Sequence, residues 1–224
     1  VLLLCTTAIS FYDLGGGARF EPIDCWVAQT AREMLGAGEW LVPHFSGEVR
    51  MQKSPGPYWA VMTTATLLGR PVDELTARIP NALAAVLLVA TVFWLTLRIA
   101  GRRAAVFAGF ATAASPLVLW WSHRAASDLG LAALSTLSLA AIWIGSEATP
   151  PGRKRVALWL LGYFAAGLAM LYKMPMPLVT VGLPAICYVL VLRRWKILAS
   201  PWHLLGLVLF AAPILVWIIS VVAV

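Results

Sequence analysis

A carboxylate can take a proton and a cation can hold a phosphate, so in a chain with few charges these groups come first. Ten Asp and Glu and seventeen Lys and Arg are distributed over 224 residues, and they are sorted. Glu21, Asp24, Glu33, Glu39, Glu48, Asp73, Glu74 and Asp128 lie in two stretches, 14–77 and 123–128. Three basic clusters lie elsewhere: Arg98, Arg102 and Arg103; Arg153, Lys154 and Arg155; and Arg193, Arg194 and Lys196. Glu147 is the only acid near them. Two readings of this sorting stay open. Either basic loops exclude acids, or the acid side is where chemistry is done. "EPIDCWVAQTAREML", residues 21–35, concentrates the question, because Glu21 and Asp24 open a stretch with a helical apolar stripe. Asp24 there reads equally as a helix cap, accepting backbone N–H bonds at the positive end.

The elements that must position these groups follow from composition. Hydrophobic residues make up 61% of the chain and charged ones 12%, with a mean hydropathy of +0.83. A soluble domain carries about 25% charged residues. Apolar runs of about 20 residues, long enough to cross hydrocarbon as helices, recur along the sequence. The chain is read as a polytopic membrane protein. Its net charge of +7 is accounted for by the basic loops, and no nucleic acid is expected as a partner. Seven spans are predicted, at roughly 1–13 (incomplete), 78–99, 104–122, 128–146, 156–172, 175–192 and 203–223. The three basic clusters fall in alternate loops and so on one side, which the positive-inside rule makes cytoplasmic. The long loop 14–77 is then outside, and the localisation expected is a multi-pass cell (inner) membrane protein with its active face outside. The chain starts inside an apolar run and ends at another, so it is expected to be the N-terminal part of something longer. Cys5, Cys25 and Cys187 form no CxxC pair and indicate neither zinc nor a disulfide framework. Cys5 and Cys187 are expected to be small buried hydrophobes.

The outer loop has its own pattern. Val27, Ala31, Met34 and Leu35 share one helical face, with Gln29, Arg32 and Glu33 opposite, and Gly36 and Gly38 end the helix. "YWAVMTTATLLG", from Tyr58, follows Pro55 and Pro57 and is apolar but too short to span. Both segments are expected to lie in the membrane interface, with Trp26, Trp40, Tyr58 and Trp59 as aromatic anchors. The fold class expected is all-α: a polytopic transmembrane helical bundle with a long outer loop containing interfacial amphipathic helices.

"AREMLGAGEWLVPHFSGEVRMQKSPGPYW" followed by "ARIPNALAA" resembles the first outer loop and second span of one glycosyltransferase family. These GT-C enzymes take a sugar from a polyprenyl-phosphate carrier, and include the protein O-mannosyltransferases and the bacterial aminoarabinose transferase of lipid A. The resemblance runs from about Glu21 to Lys173 and more weakly to the end. It implies hexosyl or pentosyl transfer, with inversion, from a polyprenyl-phosphate sugar to a hydroxyl or phosphate of a glycan, lipid or protein acceptor, among membrane lipids. In that family an Asp-Glu pair precedes the REML helix. Counting back from Arg32, the Asp position is Ile23 here and Asp24 stands for the Glu. Catalysis would then fall to Asp24, to Glu21, or be altered. The family's Glu-Lys-Pro-Pro reads Gln52, Lys53, Ser54, Pro55, so Lys53 and Gln52 are candidate substrate ligands. A divalent metal is allowed by the resemblance but not indicated, and no cofactor follows. "SHRAASDLGL" matches the family's Arg and Asp four apart, at Arg124 and Asp128, with Asp128 read as catalytic or as a helix cap. Lys173 in "MLYKMPMP" and Arg78 in "ARIP" are candidate phosphate ligands, Tyr58 a substrate contact, and His123 a phosphate ligand or a solvated side chain.

Inversion needs a carboxylate opposite the leaving group, and the departing phosphate needs nearby cations. Two other classes remain in view. One is a non-catalytic relative that has lost the Asp-Glu pair. The other is a transporter, disfavoured by spans almost free of internal charge.

Overall fold

The computed structural model describes residues 1–16 and 20–223, without the Lys196 side chain. Helix α1 (Leu2–Phe11) leads to α2 (Pro22–Ala37), then to a two-residue-strand hairpin of β1 (His44–Phe45) and β2 (Glu48–Val49), and to α3 (Gly56–Leu68). The bundle follows as α4 (Glu74–Ala113), α5 (Pro116–Ser122), α6 (Asp128–Trp143), α7 (Arg153–Tyr172), α8 (Leu183–Val191), α9 (Trp195–Leu198) and α10 (Trp202–Val222). Apart from the small antiparallel hairpin, paired His44 with Val49, the fold is the expected helical bundle.

Among the described residues, four helices are long and apolar enough to cross a membrane: Glu74–Ala113, Asp128–Ala148, Arg153–Tyr172 and Trp202–Val222. The first is two rods. Gly101 interrupts it at φ 80°, ψ −178°, a backbone that a residue with a Cβ takes only under strain. The chain doubles back there, because Asn81 near the start of α4 donates to the carbonyls of Trp121 (3.2 Å) and Arg124 (2.7 Å). The expected span 104–122 is therefore real in direction but not one helix. It stops at Ala113 and restarts at Pro116 as α5, since proline has no N–H to continue a ladder and suits a first helical position.

The ends of the bundle differ chemically. Lys173 meets Asp128 at one end of α6. At its other end Glu147 accepts from Arg194 at 2.8 Å and from Tyr188. Helices α6, α7 and α8 thus alternate in direction, as the expected topology requires. We call these the acid end and the arginine end.

The roof at the acid end is packed from within by its own two helices. Ala28, Ala31 and Met34 of α2 pack against Tyr58, Val61, Met62 and Ala65 of α3 in one buried cluster. Tyr58 is 2% exposed and is no interfacial anchor, whereas Trp26 and Trp40 remain exposed. One face of α3 packs on α2, α4 and α7, while Leu67 and Leu68 at its end stay exposed. Cys5 and Cys187 are likewise exposed rather than buried. Both lie on short apolar helices, where a small apolar thiol can face outward among other apolar side chains.

Candidate active site

Helix α2 opens with a reciprocal cap. Glu21 is the N-cap, Pro22 takes the first helical position, and Asp24 accepts the Glu21 backbone N–H at 3.1 Å. That cap is also a tertiary knot. Asp24 is fully buried; its Oδ1 accepts the N–H of Ala125 at 2.6 Å. Its Oδ2 lies 3.4 Å from Arg124 Nη1 and 3.6 Å from Arg78 Nη2. Glu21 pairs with the other arm of Arg124, whose guanidinium lies over the Trp120 ring at 4.4 Å. Arg78 also donates to the carbonyl of Leu14 at 3.0 Å. Two carboxylates and two arginines thus tie α2 to α4 and to the α5–α6 junction.

Beside this knot lies a cavity of about 200 Å³. Asp128, at the first position of α6, faces it together with Lys53, Lys173, Tyr58, Arg50, Trp26 and Ile23. Lys173 Nζ donates to Asp128 Oδ1 at 2.7 Å, and both side chains are more than a third exposed. Arg50 is held between the rings of Trp26 (4.7 Å) and Phe45 (5.3 Å), and its Nε donates to the Tyr58 hydroxyl at 3.4 Å. Two glycines let the walls close. A Cβ on Gly56 would stand 2.5 Å from the carbonyl oxygen of Leu171, and one on Gly130 2.2 Å from the Tyr172 ring.

The hairpin that carries Phe45 towards Arg50 is itself anchored by charge. Glu33 accepts the N–H groups of Ser46 (2.9 Å) and Gly47 (3.1 Å). Slight burial opposes its ionisation, but the bonds from Gln29, Gly47 and Ser46 hold its pKa below the ordinary glutamate value. Asp73 caps α4 in the same balance. Partial desolvation pushes its pKa up, while the Thr76 N–H and Arg70 outweigh that and bring it down.

Comparison with known proteins gives this geometry a family. Residues 52–219 match the family model described as dolichyl-phosphate-mannose-protein mannosyltransferase. The chain is 30% identical over 93% of its length to the undecaprenyl phosphate-alpha-4-amino-4-deoxy-L-arabinose arabinosyl transferase of Edwardsiella ictaluri (strain 93-146). It belongs to this family of membrane glycosyltransferases. It is also 30% identical over 98% of its length to an uncharacterized protein of Aquifex aeolicus (strain VF5). The crystal structure of ArnT from Cupriavidus metallidurans in the apo state superposes with a TM-score of 0.89 at 26% identity, over 98% of this chain and 41% of that one. The same enzyme bound to undecaprenyl phosphate gives a TM-score of 0.87 at 24% identity, over 98% of this chain and 40% of that one. The bundle therefore has the GT-C fold. The chain spans 37% and 42% of the lengths of the Edwardsiella and Aquifex relatives.

Within the family frame, the expected site residues divide. Asp128, Lys53, Lys173 and Tyr58 line one cavity. Asp24, Glu21, Arg78 and Arg124 form the adjoining knot. Ile23, at the position counted as the family's Asp, faces the cavity, whereas Asp24 does not line it. Asp24 in its neighbouring position is turned inward by the Ala125 N–H and two guanidinium groups. Gln52 is exposed and is not among the residues lining this cavity. His123, expected to be a phosphate ligand or solvated, is half-buried. Its ring meets the carbonyls of Tyr12 (3.2 Å) and Leu119 (3.0 Å), beside a separate open cavity of about 500 Å³ shared with Arg78 and Arg124. Among the described residues no three His, Cys, Asp or Glu side chains gather as metal ligands would, and Gln52 offers no anionic oxygen. These residues do not fit a resident divalent ion, and no step is derived through one.

Sequence reasoning missed Arg50 and Ile23 as cavity residues. Arg50 carried one signal, a lone arginine three residues before Lys53 in a cation-poor loop. Its aromatic clamp joins α2, the hairpin and the loop before α3, which no local spacing reveals.

Proposed function

We propose that this chain supplies the donor site of an integral-membrane glycosyltransferase in the bacterial inner membrane. The enzyme moves a sugar from a polyprenyl-phosphate carrier to an acceptor hydroxyl or phosphate at the outer face, with inversion. The observation that carries the reading is the small cavity in which Asp128 and three cations, Lys53, Lys173 and Arg50, meet beneath a protein roof. The relatives named as undecaprenyl-phosphate-dependent transferases and the superposed ArnT bound to undecaprenyl phosphate support it. The positive-inside rule places the acid end outside.

In this reading the donor phosphate draws Lys173 from Asp128 and sits among the cations. The acceptor oxygen attacks the anomeric carbon opposite the phosphate and the sugar–phosphate C–O bond breaks; Asp128 takes the proton of a hydroxyl acceptor, while a phosphate acceptor attacks as its anion and needs no base. The carrier leaves as polyprenyl phosphate, with one more negative charge than it had as the sugar diester. Cations held around it therefore act more strongly in the transition state than on the bound donor. Asp24 and Glu21 serve by holding Arg78 and Arg124, and so the base of α6, in place.

A second reading, a non-catalytic relative that binds the carrier, is favoured by Ile23 on the cavity wall and the inward turn of Asp24. Native mass spectrometry of the full-length protein, purified from its own membrane, tests both. Co-purifying polyprenyl phosphate or its glycosylated form, lost in Lys53→Ala and Lys173→Ala, supports donor binding, and turnover lost in Asp128→Asn supports the transferase. Bound carrier without turnover selects the second reading. Bulk phospholipid alone, in several gentle detergents, refutes both.

A further inference from the structure

The arginine end holds a site of a different kind. A groove of about 910 Å³ lies between the start of α7 and the α9–α10 connection. Arg153 and Arg155 line it, with Trp159 and Trp202, and no carboxylate does. Glu147, the acid at that end, is already engaged by Arg194 and Tyr188. Arg155 is fixed in place: its Nε and Nη2 donate to the carbonyl of Thr149 at 3.1 and 2.6 Å. The opposite edge of its planar fork makes none of these bonds.

A second cavity, of about 400 Å³, runs into the bundle between α8 and the helices α6, α7 and α10. Its walls are almost entirely apolar, among them Leu178, Ile186, Leu207 and Phe210. It exists because α8, with no buried residue of its own, stands off from its neighbours. Ile197 of α9 lines both cavities. At their junction Trp159 stacks on His203 at 4.6 Å, and His203 is fixed by Tyr163 (3.1 Å) and the Ile197 carbonyl (2.9 Å).

A basic, tryptophan-flanked groove that adjoins an apolar slot matches the two halves of one amphiphile. We infer that the pair binds a single anionic membrane phospholipid, its phosphate against Arg153 and Arg155 and one acyl chain in the slot beside α8. Basic pockets between spanning helices suit anionic lipid heads, and tryptophan favours headgroup depth. The slot adds what a basic surface alone lacks, a place where the chain is held by protein. This inference concerns the end opposite the proposed donor site and stands whether or not the transferase reading does.

The test is lipid counting by native mass spectrometry on the full-length protein, titrated in mixed micelles with phosphatidylglycerol or phosphatidylcholine. One phosphatidylglycerol should be retained at least fivefold better than phosphatidylcholine. Arg153→Gln, an exposed change that leaves the fold alone, should lower retention about fivefold. Ala185→Trp, which fills the slot and touches no arginine, should lower it as well. Equal retention of the two lipids overturns the inference. So does a selectivity that Ala185→Trp, shown folded by its melting curve, leaves unchanged, because binding would then be to a basic surface only. Retention of neither lipid, with Arg153→Gln indistinguishable from the parent, also overturns it and points to protein covering the groove.

Discussion

The two clusters at the acid end hold the same kinds of side chain in opposite states. Asp24, Arg78 and Arg124 are desolvated and tied to one another: the Asp24 carboxylate accepts a backbone N–H and faces two guanidinium groups. Asp128 and Lys173 meet in a single contact and keep more than a third of their surface open. A buried charge that loses its partner is stranded, so such a cluster is committed to holding structure. A half-exposed pair gains little from its own bond and can give it up to a ligand. Burial, more than residue type, separates the group that braces the roof from the group left open to a ligand.

The comparison breaks most visibly at Asp24. Asp24→Ala takes the carboxylate from between two buried guanidinium groups, leaving Arg124 with Glu21 alone, and should cost about 3–5 kcal/mol, read as a lowered melting temperature in detergent. Asp24→Asn that is inactive yet as stable as the parent would instead make Asp24 the catalytic base. Next comes Gly56→Ala, at the wall of the open cavity. Its Cβ would press on a backbone carbonyl at 2.5 Å, which cannot swing aside as a side chain does. A loss of about 1–3 kcal/mol is expected, together with weaker carrier binding, and chemical denaturation with a binding titration checks both.

Lys173→Ala sharpens the contrast. Its stability should change by less than about 1 kcal/mol, while retention of polyprenyl phosphate falls about tenfold, as for one charge-assisted phosphate contact. A large stability loss with unchanged retention would place Lys173 with the structural cluster.

The smallest effect is on pH. Glu33 and Asp73 have pKa values held below their ordinary 4.5 and 3.8. Their stabilisation is present above those values and is lost as pH falls through the lower, folded ones. Protection of the Ser46 and Gly47 amides, measured against their intrinsic exchange rates, should fall below about pH 4, and Glu33→Gln should flatten that dependence.

Much of the architecture was legible before any coordinates. Hydropathy expected seven spans, and among the described residues four helices are long and apolar enough to cross, with Leu2–Phe11 and Leu178–Val191 apolar but shorter; hydrocarbon demands about twenty apolar residues and penalises charge whatever the tertiary fold. The helix expected from Asp24 to Leu35 was legible in its apolar period; Gly38 caps it as expected, whereas Gly36, expected to help end it, lies inside α2. The site was half legible. Asp128, Lys53, Lys173 and Tyr58 could be nominated from their motifs, but the sealing of Asp24 between two arginines and the burial of Tyr58 could not. A carboxylate at a helix start looks the same in sequence whether it meets water, substrate or two arginines 54 and 100 residues away. Tyr58 read as a membrane anchor because an aromatic side chain beside a span is amphipathic in either setting.

Sequence by itself determined that this chain crosses a membrane, in which order its helices turn, and which side gathers the acids. These follow from transfer of side chains and backbone out of water, a property of local composition. Tertiary structure alone decided which acid is sealed and which is open, that α2 and α3 pack on each other through Met34 and Met62, and that Arg50 joins the cavity. Those outcomes depend on partners brought together from distant segments, and desolvation then decides the state of each charge.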